Sequence, residues 1–167
     1  EEMQKDVDRL ETITDRFSKI GSGAKLEVSN LVETVDHVMS YLRSRISDKV
    51  ELMHEKPAEI LVRHNAPLME WVFENIIKNA VDAMEGTGKI SVSYHLESKW
   101  VHLDITDNGK GIPPKQLKTI FQPGFSTKKR GWGLGLSLVK RIVTEYHKGR
   151  VFVVHSEPHV QTTFRIS

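Results

Sequence analysis

Cysteine is absent from the 167-residue sequence, which excludes disulfide bonds and thiolate metal sites and is compatible with a reducing compartment. No apolar run approaches the roughly 18 residues needed to span a bilayer. The formal net charge is only +2, so there is no large basic field that would favour a nucleic-acid partner. We therefore expect a cytoplasmic domain without a nucleic-acid partner. The sequence leaves open whether a longer parent protein is anchored in a membrane.

Two common phosphate-binding motifs are also missing. Gly131, Gly133 and Gly135 precede an amphipathic run, but the dinucleotide motif GxGxxG would need a glycine where Leu136 stands. Neither GxxxxGKS nor GxxxxGKT occurs. A glycine cluster at the start of a helix still offers backbone amides to an anion. The three glycines therefore predict either an anion-binding turn or an ordinary flexible loop.

Familiar metal-binding patterns are absent as well. The eight histidines are scattered and show no HExxH or HxxE spacing, so a zinc site is not expected. A calcium loop that starts at Asp104 would close with a glutamate at position 115, but that residue is Lys115. Neither zinc nor a calcium loop is predicted.

The first twenty residues carry apolar side chains at spacings of four, three, three, four and three. Such a heptad seam predicts an amphipathic helix that packs against a partner helix, although packing on its own domain is the alternative. The pattern stops at Gly21-Ser22-Gly23, so we expect a domain boundary there, between residues 1–23 and 24–167. Because the chain begins without methionine, we expect a fragment of a longer protein. The seam residues are Met3, Val7, Leu10, Ile13, Phe17 and Ile20.

The rest of the chain predicts an α/β fold, a two-layer sandwich with a mixed, mostly antiparallel sheet. Residues 89–97 and 100–107 alternate apolar and polar side chains and predict a hairpin. The span from Gly109 to Arg130 is too long for a simple connection in a compact domain. We expect it to act as a lid and name it the lid segment. Helices are predicted over 30–46, 67–84 and 132–147, and further strands over 25–28, 50–55, 59–64, 151–155 and 160–166.

The helix predicted over 67–84 has an unusual polar edge. Asn75, Asn79 and Asp82 recur at i, i+4 and i+7, and asparagine is a poor helix former. This pattern predicts the wall of a cleft. The alternative is a solvated face with an ion pair between Glu74 and Lys78, four residues apart.

Asp107 is a second unusual residue. It continues the inward phase of Leu103 and Ile105, so its carboxylate is predicted to be buried and to require a donor. The donor is either the backbone of the Asn108-Gly109 turn, as in an Asx-turn, or a ligand amine such as that of adenine.

Four stretches in order, NIIKNAVDAM, DNGKGIP, FQPGFSTK and GWGLGL, resemble the N, G1, F and G2 boxes of bacterial sensor histidine kinases. The resemblance extends from about residue 25 to the C-terminus and implies the Bergerat ATP-binding fold of the GHKL superfamily. The helix within 1–23 resembles the second helix of the dimerisation and phosphotransfer hairpin. The phosphoacceptor histidine of that family lies on the first helix, which this chain does not contain.

The resemblance implies ATP and Mg2+ as cofactors and a role for each matching residue. Asn79 is expected to bind Mg2+, with Asn75 beside the phosphates, and Lys128 to reach the γ-phosphate from the lid segment; these three form the predicted catalytic set. Asp107 is expected to accept from the adenine amine, with Gly111 giving the base room. The full predicted nucleotide-binding set is Asn75, Lys78, Asn79, Asp82, Asp107, Gly109, Gly111, Ile112, Phe121, Thr127, Lys128, Gly131, Gly133, Leu134, Gly135, Leu136 and Thr162.

Three positions depart from the family pattern. Asp82 stands where many members carry lysine or arginine, so Lys78 is expected to supply the missing cation. Trp132 replaces a small hydroxylated residue that is common there, and Gly124 replaces an aromatic residue. None of these changes removes a backbone amide, but those at Trp132 and Gly124 are expected to alter closure of the lid segment.

The implied reaction transfers the γ-phosphoryl group of ATP to a histidine nitrogen on the hairpin domain of the same parent protein. A response regulator and a homodimeric parent are implied as further partners. An ATP-sensing interaction module and a hydrolytic GHKL ATPase remain alternatives. Hydrolytic relatives use a glutamate where this chain has Asn75, and Glu74 lies about 100° away around the helix, so we expect weak hydrolysis.

Overall fold

The computed structural model describes residues 23–128 and 133–167, together with six positions nearer the N-terminus. Those six have helical backbone, and Val7 is 45% exposed. The other seam residues lie outside the described residues, as do Gly21, Ser22, Arg130, Gly131 and Trp132, so the domain boundary at residue 23 stays a prediction. The six positions are Gln4, Val7, Glu11, Thr14, Asp15 and Ser18.

The structure of residues 23–128 and 133–167 contains three α-helices, seven strands, one 3-10 turn and one π-helical turn. The helices are α1 (Leu31–Arg43), α2 (Ala66–Ala83) and α3 (Gly135–Arg141). The strands are β1 (Glu27–Asn30), β2 (Val50–His54), β3 (Leu61–His64), β4 (Gly88–Glu97), β5 (Trp100–Asp107), β6 (Val151–Glu157) and β7 (Gln161–Ile166).

Five strands form one mixed sheet in the order β2-β4-β5-β7-β6. β2 runs parallel to β4 and the other neighbours are antiparallel, which confirms the two-layer α/β prediction. β1 and β3 form a separate antiparallel pair. β5 lies at the centre, so its last residue, Asp107, is held between Ile90 of β4 and Thr162 of β7.

The core lies between the helices and one face of the five-stranded sheet. α2 begins after Asn65, whose side chain accepts a hydrogen bond from the Leu68 amide at 3.0 Å, so its first turn is capped. Its apolar face is buried with the inward residues of β4, β5 and β7. The opposite edge of α2, with Asn75, Asn79 and Asp82, is left uncovered by this packing. Val160, the first residue of the strand predicted over 160–166, lies instead in the turn before β7 and is 60% exposed.

The lid segment is more ordered than a free connection. A 3-10 turn spans Pro114–Gln116, and Ile120 is buried in the core. Phe121 packs edge-on against Phe164, with ring centroids 6.3 Å apart. The first half of the segment is therefore attached to the domain, and the predicted loop character applies to residues nearer Lys128.

The helix predicted over 132–147 has two parts. α3 begins at Gly135 and is followed by a π-helical turn over Ile142–Tyr146. His147 lies at its end, where its Nδ1 is 2.9 Å from the Ile142 carbonyl oxygen and its Nε2 accepts from the Asn65 amide at 3.1 Å. This histidine therefore joins the end of one helical segment to the start of α2.

Candidate functional site

A cleft of about 890 Å3 opens between α2, the end of β5, the start of α3 and the lid segment. Its volume lies in the range of small-molecule sites. Thirteen of its lining residues belong to the predicted set: Asn75, Asn79, Asp82, Asp107, Gly111, Ile112, Thr127, Lys128, Gly133, Leu134, Gly135, Leu136 and Thr162. The cleft thus brings together residues from all four motifs, which are far apart in sequence.

The α2 wall presents the three polar side chains to the cleft. Asn75 Nδ2 donates to the Trp71 carbonyl oxygen at 2.9 Å. This bond orients the amide so that its oxygen faces α3, where a Cβ on Gly135 would lie 3.0 Å away. One turn later, Asn79 Oδ1 accepts from Lys128 Nζ at 3.2 Å. The same ammonium group pairs with the carboxylate of Asp82, so a cation from the lid segment already lies against this wall.

Asp107 is buried where β5 enters the cleft. Its Oδ1 accepts from the Gly109 amide at 2.8 Å, so the turn bond expected from the sequence forms. That bond occupies one carboxylate oxygen, and the residue still lines the cleft. Burial raises the pKa of Asp107 above its ordinary value, and the Gly109 hydrogen bond opposes this shift. A donor from a ligand would stabilise the charged form that burial disfavours.

The loop after β5 is held close to both neighbouring elements. The Lys110 amide donates to the Ala83 carbonyl oxygen at 2.9 Å, and a Cβ on Gly109 would lie 2.8 Å from Ala83 Cβ. Gly111 has φ +75°, and a Cβ there would come within 3.1 Å of Pro158 Cα. Gly111 therefore meets both a conformational and a steric requirement, and its missing side chain lets the loop lie close to Pro158.

Ser156 is a supporting residue that the sequence reasoning missed. Its hydroxyl oxygen accepts from the Ile112 amide at 2.8 Å and lies 3.0 Å from the Thr162 hydroxyl. Ser156 and Thr162 are register partners on β6 and β7. The available signal was the pair of short hydroxylated residues facing each other across the last hairpin.

The opposite end of the cleft is built from glycine backbone. Gly133 has φ +66°, and a Cβ there would lie 2.6 Å from the Phe125 nitrogen. The Gly124 amide donates to the Gly133 carbonyl oxygen at 3.0 Å, so the lid segment and the start of α3 are in direct contact. Amides in the first turn of a helix have no acceptor within the helix, and those of α3 border the cleft.

Three predicted residues do not line the cleft, and a fourth lies outside the described residues. Lys78 pairs with Glu74 at 2.5 Å and is not among the residues that line the cleft, so its role as the replacement for the missing cation stays a prediction. Phe121 packs behind Phe164, which does line the cleft. Gly109 supports Asp107 from its own backbone. Gly131 is the residue outside the described part of the chain.

Several lining residues lay beyond the sequence prediction. Most of them are apolar side chains that close the cleft from α2, the lid segment and β7, and no local pattern distinguishes them from ordinary core residues. They are Trp71, Ala80, Ala83, Lys110, Pro113, Gln116, Ile120, Phe125, Ser126, Leu138 and Phe164.

Two features are absent from the described part of the chain. Within residues 23–128, 133–167 and the six N-terminal positions, no cluster of three or more histidine, aspartate or glutamate side chains is arranged to hold a metal. In the same part of the chain, no helix combines the length and apolar character required to cross a membrane.

Comparison with known proteins identifies the class. The sequence profile of the family described as histidine kinase-, DNA gyrase B-, and HSP90-like ATPase matches residues 64–167. Because the match covers more than half of the chain, the chain belongs to this family of ATP-binding domains.

The similar proteins include a sporulation kinase and a sensor histidine kinase. Sporulation kinase A of Bacillus subtilis is 32% identical over 168 residues, covering 97% of this chain and 27% of that kinase. The sensor histidine kinase DcuS of Escherichia coli is 41% identical over 92 residues, covering 54% of this chain and 17% of DcuS. The chain thus spans about a quarter or less of these relatives. The part it matches is the catalytic, ATP-binding domain of a histidine kinase, as the four motifs predicted.

Solved structures agree with this fold. The mycobacterial sensor histidine kinase MprB superposes with a TM-score of 0.71 at 26% identity, covering 84% of this chain and 95% of that chain. The histidine kinase ThkA, in complex with the response regulator protein TrrA, gives a TM-score of 0.75 at 24% identity, covering 98% of this chain and 48% of that one. Both similarities support the two-layer α/β architecture.

Proposed function

We propose that this domain binds ATP with Mg2+ in the cleft and transfers the γ-phosphoryl group to a histidine on a hairpin domain of the same parent protein. The single observation that carries the proposal is the convergence of Asn75, Asn79 and Asp107 on one cleft bordered by glycine amides. Asn75 suits the phosphates, Asn79 suits a hard cation, and Asp107 suits the amine of a base.

The adenine end is proposed to lie against Asp107. One oxygen of this carboxylate is engaged by Gly109, which leaves the second for the exocyclic amine of the base. Gly111 lets the loop approach the ring closely, because no side chain projects there. Thr162 and Ser156 support this end through their mutual hydrogen bond.

The metal is proposed to lie at Asn79. Its Oδ1 faces the cleft and already accepts a hydrogen bond from a cationic group, the Lys128 ammonium. Amide and carboxylate oxygens are suitable Mg2+ ligands, and Mg2+ commonly takes few protein ligands and completes its shell with phosphates and water. When bound, Mg2+ would neutralise charge on the phosphate oxygens during transfer.

The phosphate chain is proposed to extend from Asn75 toward the start of α3. The amides of Gly133, Leu134, Gly135 and Leu136 are the candidate phosphate donors, and Gly131 is proposed to extend the same turn. Lys128 and Thr127 are proposed to contact the terminal phosphate from the lid segment. Phosphoryl transfer needs positioning and charge neutralisation more than covalent help from the protein, and these residues can supply both.

The partners follow from the same proposal. The phosphoacceptor histidine would be on the hairpin whose second helix is proposed to include residues 1–23, and the parent would act as a homodimer. A response regulator is proposed as the next acceptor, since ThkA was solved in complex with one. We propose that the domain works in the cytoplasm, where ATP is available and a chain without cysteine needs no oxidising environment.

The test is phosphotransfer between separately purified parts. The domain is mixed with radiolabelled ATP, Mg2+ and the hairpin of its parent, and acid-labile phosphohistidine is measured. We expect label on the hairpin, and at least a hundredfold less with Asn79→Ala. ATP binding without any transfer would overturn the kinase proposal in favour of a sensing module. Rapid hydrolysis that disappears in Glu74→Ala would favour a hydrolytic ATPase instead.

A further inference from the structure

Lys128 connects the lid segment to α2 across the cleft. Its ammonium lies 3.2 Å from Asn79 Oδ1 and pairs with the Asp82 carboxylate. Both side chains of the ion pair are about half exposed, 48% for Lys128 and 53% for Asp82. The contact is therefore open to the solution and to ligands, and it joins residues 46 positions apart in sequence.

The position of this ammonium conflicts with the proposed metal. Asn79 Oδ1 cannot bind Mg2+ while the Lys128 ammonium lies against it, because two cations would share one small site and repel each other. Under the proposed function, on which this inference rests, Mg2+ that arrives with ATP must displace Lys128 from Asn79. The released lysine remains on the lid segment, which borders the same cleft.

Asp82 has opposite effects on the two forms of the nucleotide. It lines the cleft as a carboxylate, so it repels a nucleotide whose phosphates carry no metal. The same charge attracts a nucleotide that carries Mg2+ beside Asn79. Lys128 partly neutralises Asp82 until the metal arrives, and so it moderates the repulsion.

We propose that Asp82 makes this cleft selective for the magnesium complex of ATP over metal-free ATP, and that it holds Lys128 until the metal displaces it. Asp82 is thus a specificity-determining residue, at the position where the sequence departs from the cation common in the family. In this arrangement the missing cation is supplied from the lid segment.

The same helix provides a matched control. Glu74 also forms an ion pair with a lysine, Lys78, but this pair lies outside the cleft. The variants Asp82→Asn and Glu74→Gln each remove one carboxylate from α2 and each leave a lysine without that partner. Only the first removes a charge that faces the proposed phosphates.

The experiment measures ATP affinity by titration calorimetry with excess Mg2+ and again with a chelator. In Asp82→Asn we expect metal-free ATP to bind about tenfold more tightly, as one weakened charge contact in a half-exposed site allows. Binding of the magnesium complex should not improve, so the ratio of its affinity to the affinity of metal-free ATP should fall about tenfold. Glu74→Gln should keep the wild-type ratio. An unchanged ratio in Asp82→Asn would overturn the inference.

A double-mutant cycle tests the part played by Lys128. In Lys128→Gln the Asp82 charge is no longer neutralised. The ratio of affinity for the magnesium complex to affinity for metal-free ATP should therefore be larger than in wild type. The effect of Asp82→Asn should then be larger in this background. Equal effects of Asp82→Asn with and without Lys128 would contradict the holding contact.

The two proposals fail in different ways. If the wild-type domain binds neither form of ATP, the proposed function and this inference both fail. If wild type binds the magnesium complex and Asp82→Asn discriminates between the two forms as wild type does, only the role of Asp82 fails. Because Asp82 is half exposed, its substitution should leave the melting temperature nearly unchanged, which the same samples can verify.

Discussion

Asp107 accepts a hydrogen bond from the Gly109 amide at 2.8 Å while only 5% of the residue is exposed. A carboxylate in this position is stabilised by one backbone donor and destabilised by burial, and the rise in its pKa reflects that balance. Burial of such a carboxylate lowers the stability of the unliganded domain, and a ligand with a suitable donor offsets this loss.

The first prediction concerns Asp107→Asn. The new amide can still accept from Gly109, but its NH2 group would face the amine of adenine, donor against donor. We expect ATP affinity to fall at least thirtyfold, about 2 kcal/mol. The melting temperature of the unliganded domain should not fall, because a buried charge is removed. Calorimetric titration and thermal melts measure the two quantities.

Asp104→Asn is the matched control for this variant. Asp104 lies on the same strand but accepts two hydrogen bonds from Arg165, at 2.7 and 2.8 Å, and does not line the cleft. Its loss should cost about 2 kcal/mol of stability and leave ATP affinity within twofold. If both variants weaken ATP binding equally, Asp107 does not contact the base.

The second prediction concerns Gly133→Ala. Its φ of +66° is unfavourable for alanine, and the added Cβ would lie 2.6 Å from both the nitrogen and the carbonyl oxygen of Phe125. The lid segment must then move away from the start of α3. We expect ATP affinity to fall more than tenfold in the titration.

Gly124→Ala separates backbone strain from this steric effect. Gly124 also has positive φ, +82°, but nothing lies within 4 Å of the Cβ position. Its substitution should cost about 1 kcal/mol of stability and change ATP affinity less than twofold. Similar losses of affinity in both variants would show that strain alone, and not the contact with Phe125, weakens binding.

The third prediction concerns pH and His147. Burial lowers the pKa of His147 below 6.5, a hydrogen bond to Ile142 opposes this shift and His64 adds to it. The folded protein therefore binds fewer protons than the unfolded chain just below pH 6.5. The contribution of His147 to the free energy of unfolding should be complete above that pH, and it should decline as the pH falls toward the folded-state pKa.

Urea unfolding between pH 8 and pH 5 tests this dependence. Burial also lowers the pKa of His54, so some of the decline should remain in His147→Gln. The variant should be less stable at pH 8 because the contact with Asn65 is lost, and its stability should change less with pH. Parallel curves for wild type and variant would contradict the assignment to His147.

The fourth prediction concerns Ser156→Ala. The change removes the acceptor of the Ile112 amide and the partner of Thr162, so the loop after β5 loses its attachment to β6. We expect a loss of about 1–2 kcal/mol of stability and a threefold to tenfold loss of ATP affinity.

Thr106→Val is the corresponding control. Its hydroxyl pairs with that of Thr163 at 2.9 Å, and neither residue lines the cleft. Stability should fall by a similar amount, with ATP affinity unchanged. An equal loss of affinity in both variants would indicate a general loosening of the sheet.

Much of the candidate site was predictable because its residues are spaced by local geometry. Asn75, Asn79 and Asp82 share one edge of α2 through the helical period, and Asp107 follows the alternation of β5. The same period places Lys78 one turn after Glu74 and one turn before Asp82. Its ammonium is paired with Glu74 and neither residue lines the cleft, so its contact with the phosphates stays a prediction.

The remaining parts depend on contacts between distant segments. Ile120 and Phe125 close the cleft from the lid segment, yet in the sequence they are ordinary apolar residues of a long connection. Ser156 acts only through the pairing of β6 with β7. The contact of Lys128 with Asp82 depends on how the lid segment folds back over α2, which no local pattern encodes.

The central position of β5 gives the two ends of the cleft different mechanical character. Asp107 is held by neighbouring strands on both sides, whereas the opposite end depends on glycine turns and on Lys128. An inhibitor that filled only the end at Asp107, the proposed purine end, would meet a surface whose shape exists before any ligand arrives. Such a compound would need neither metal nor lid closure, and resistance through substitutions near Lys128 would leave its binding intact.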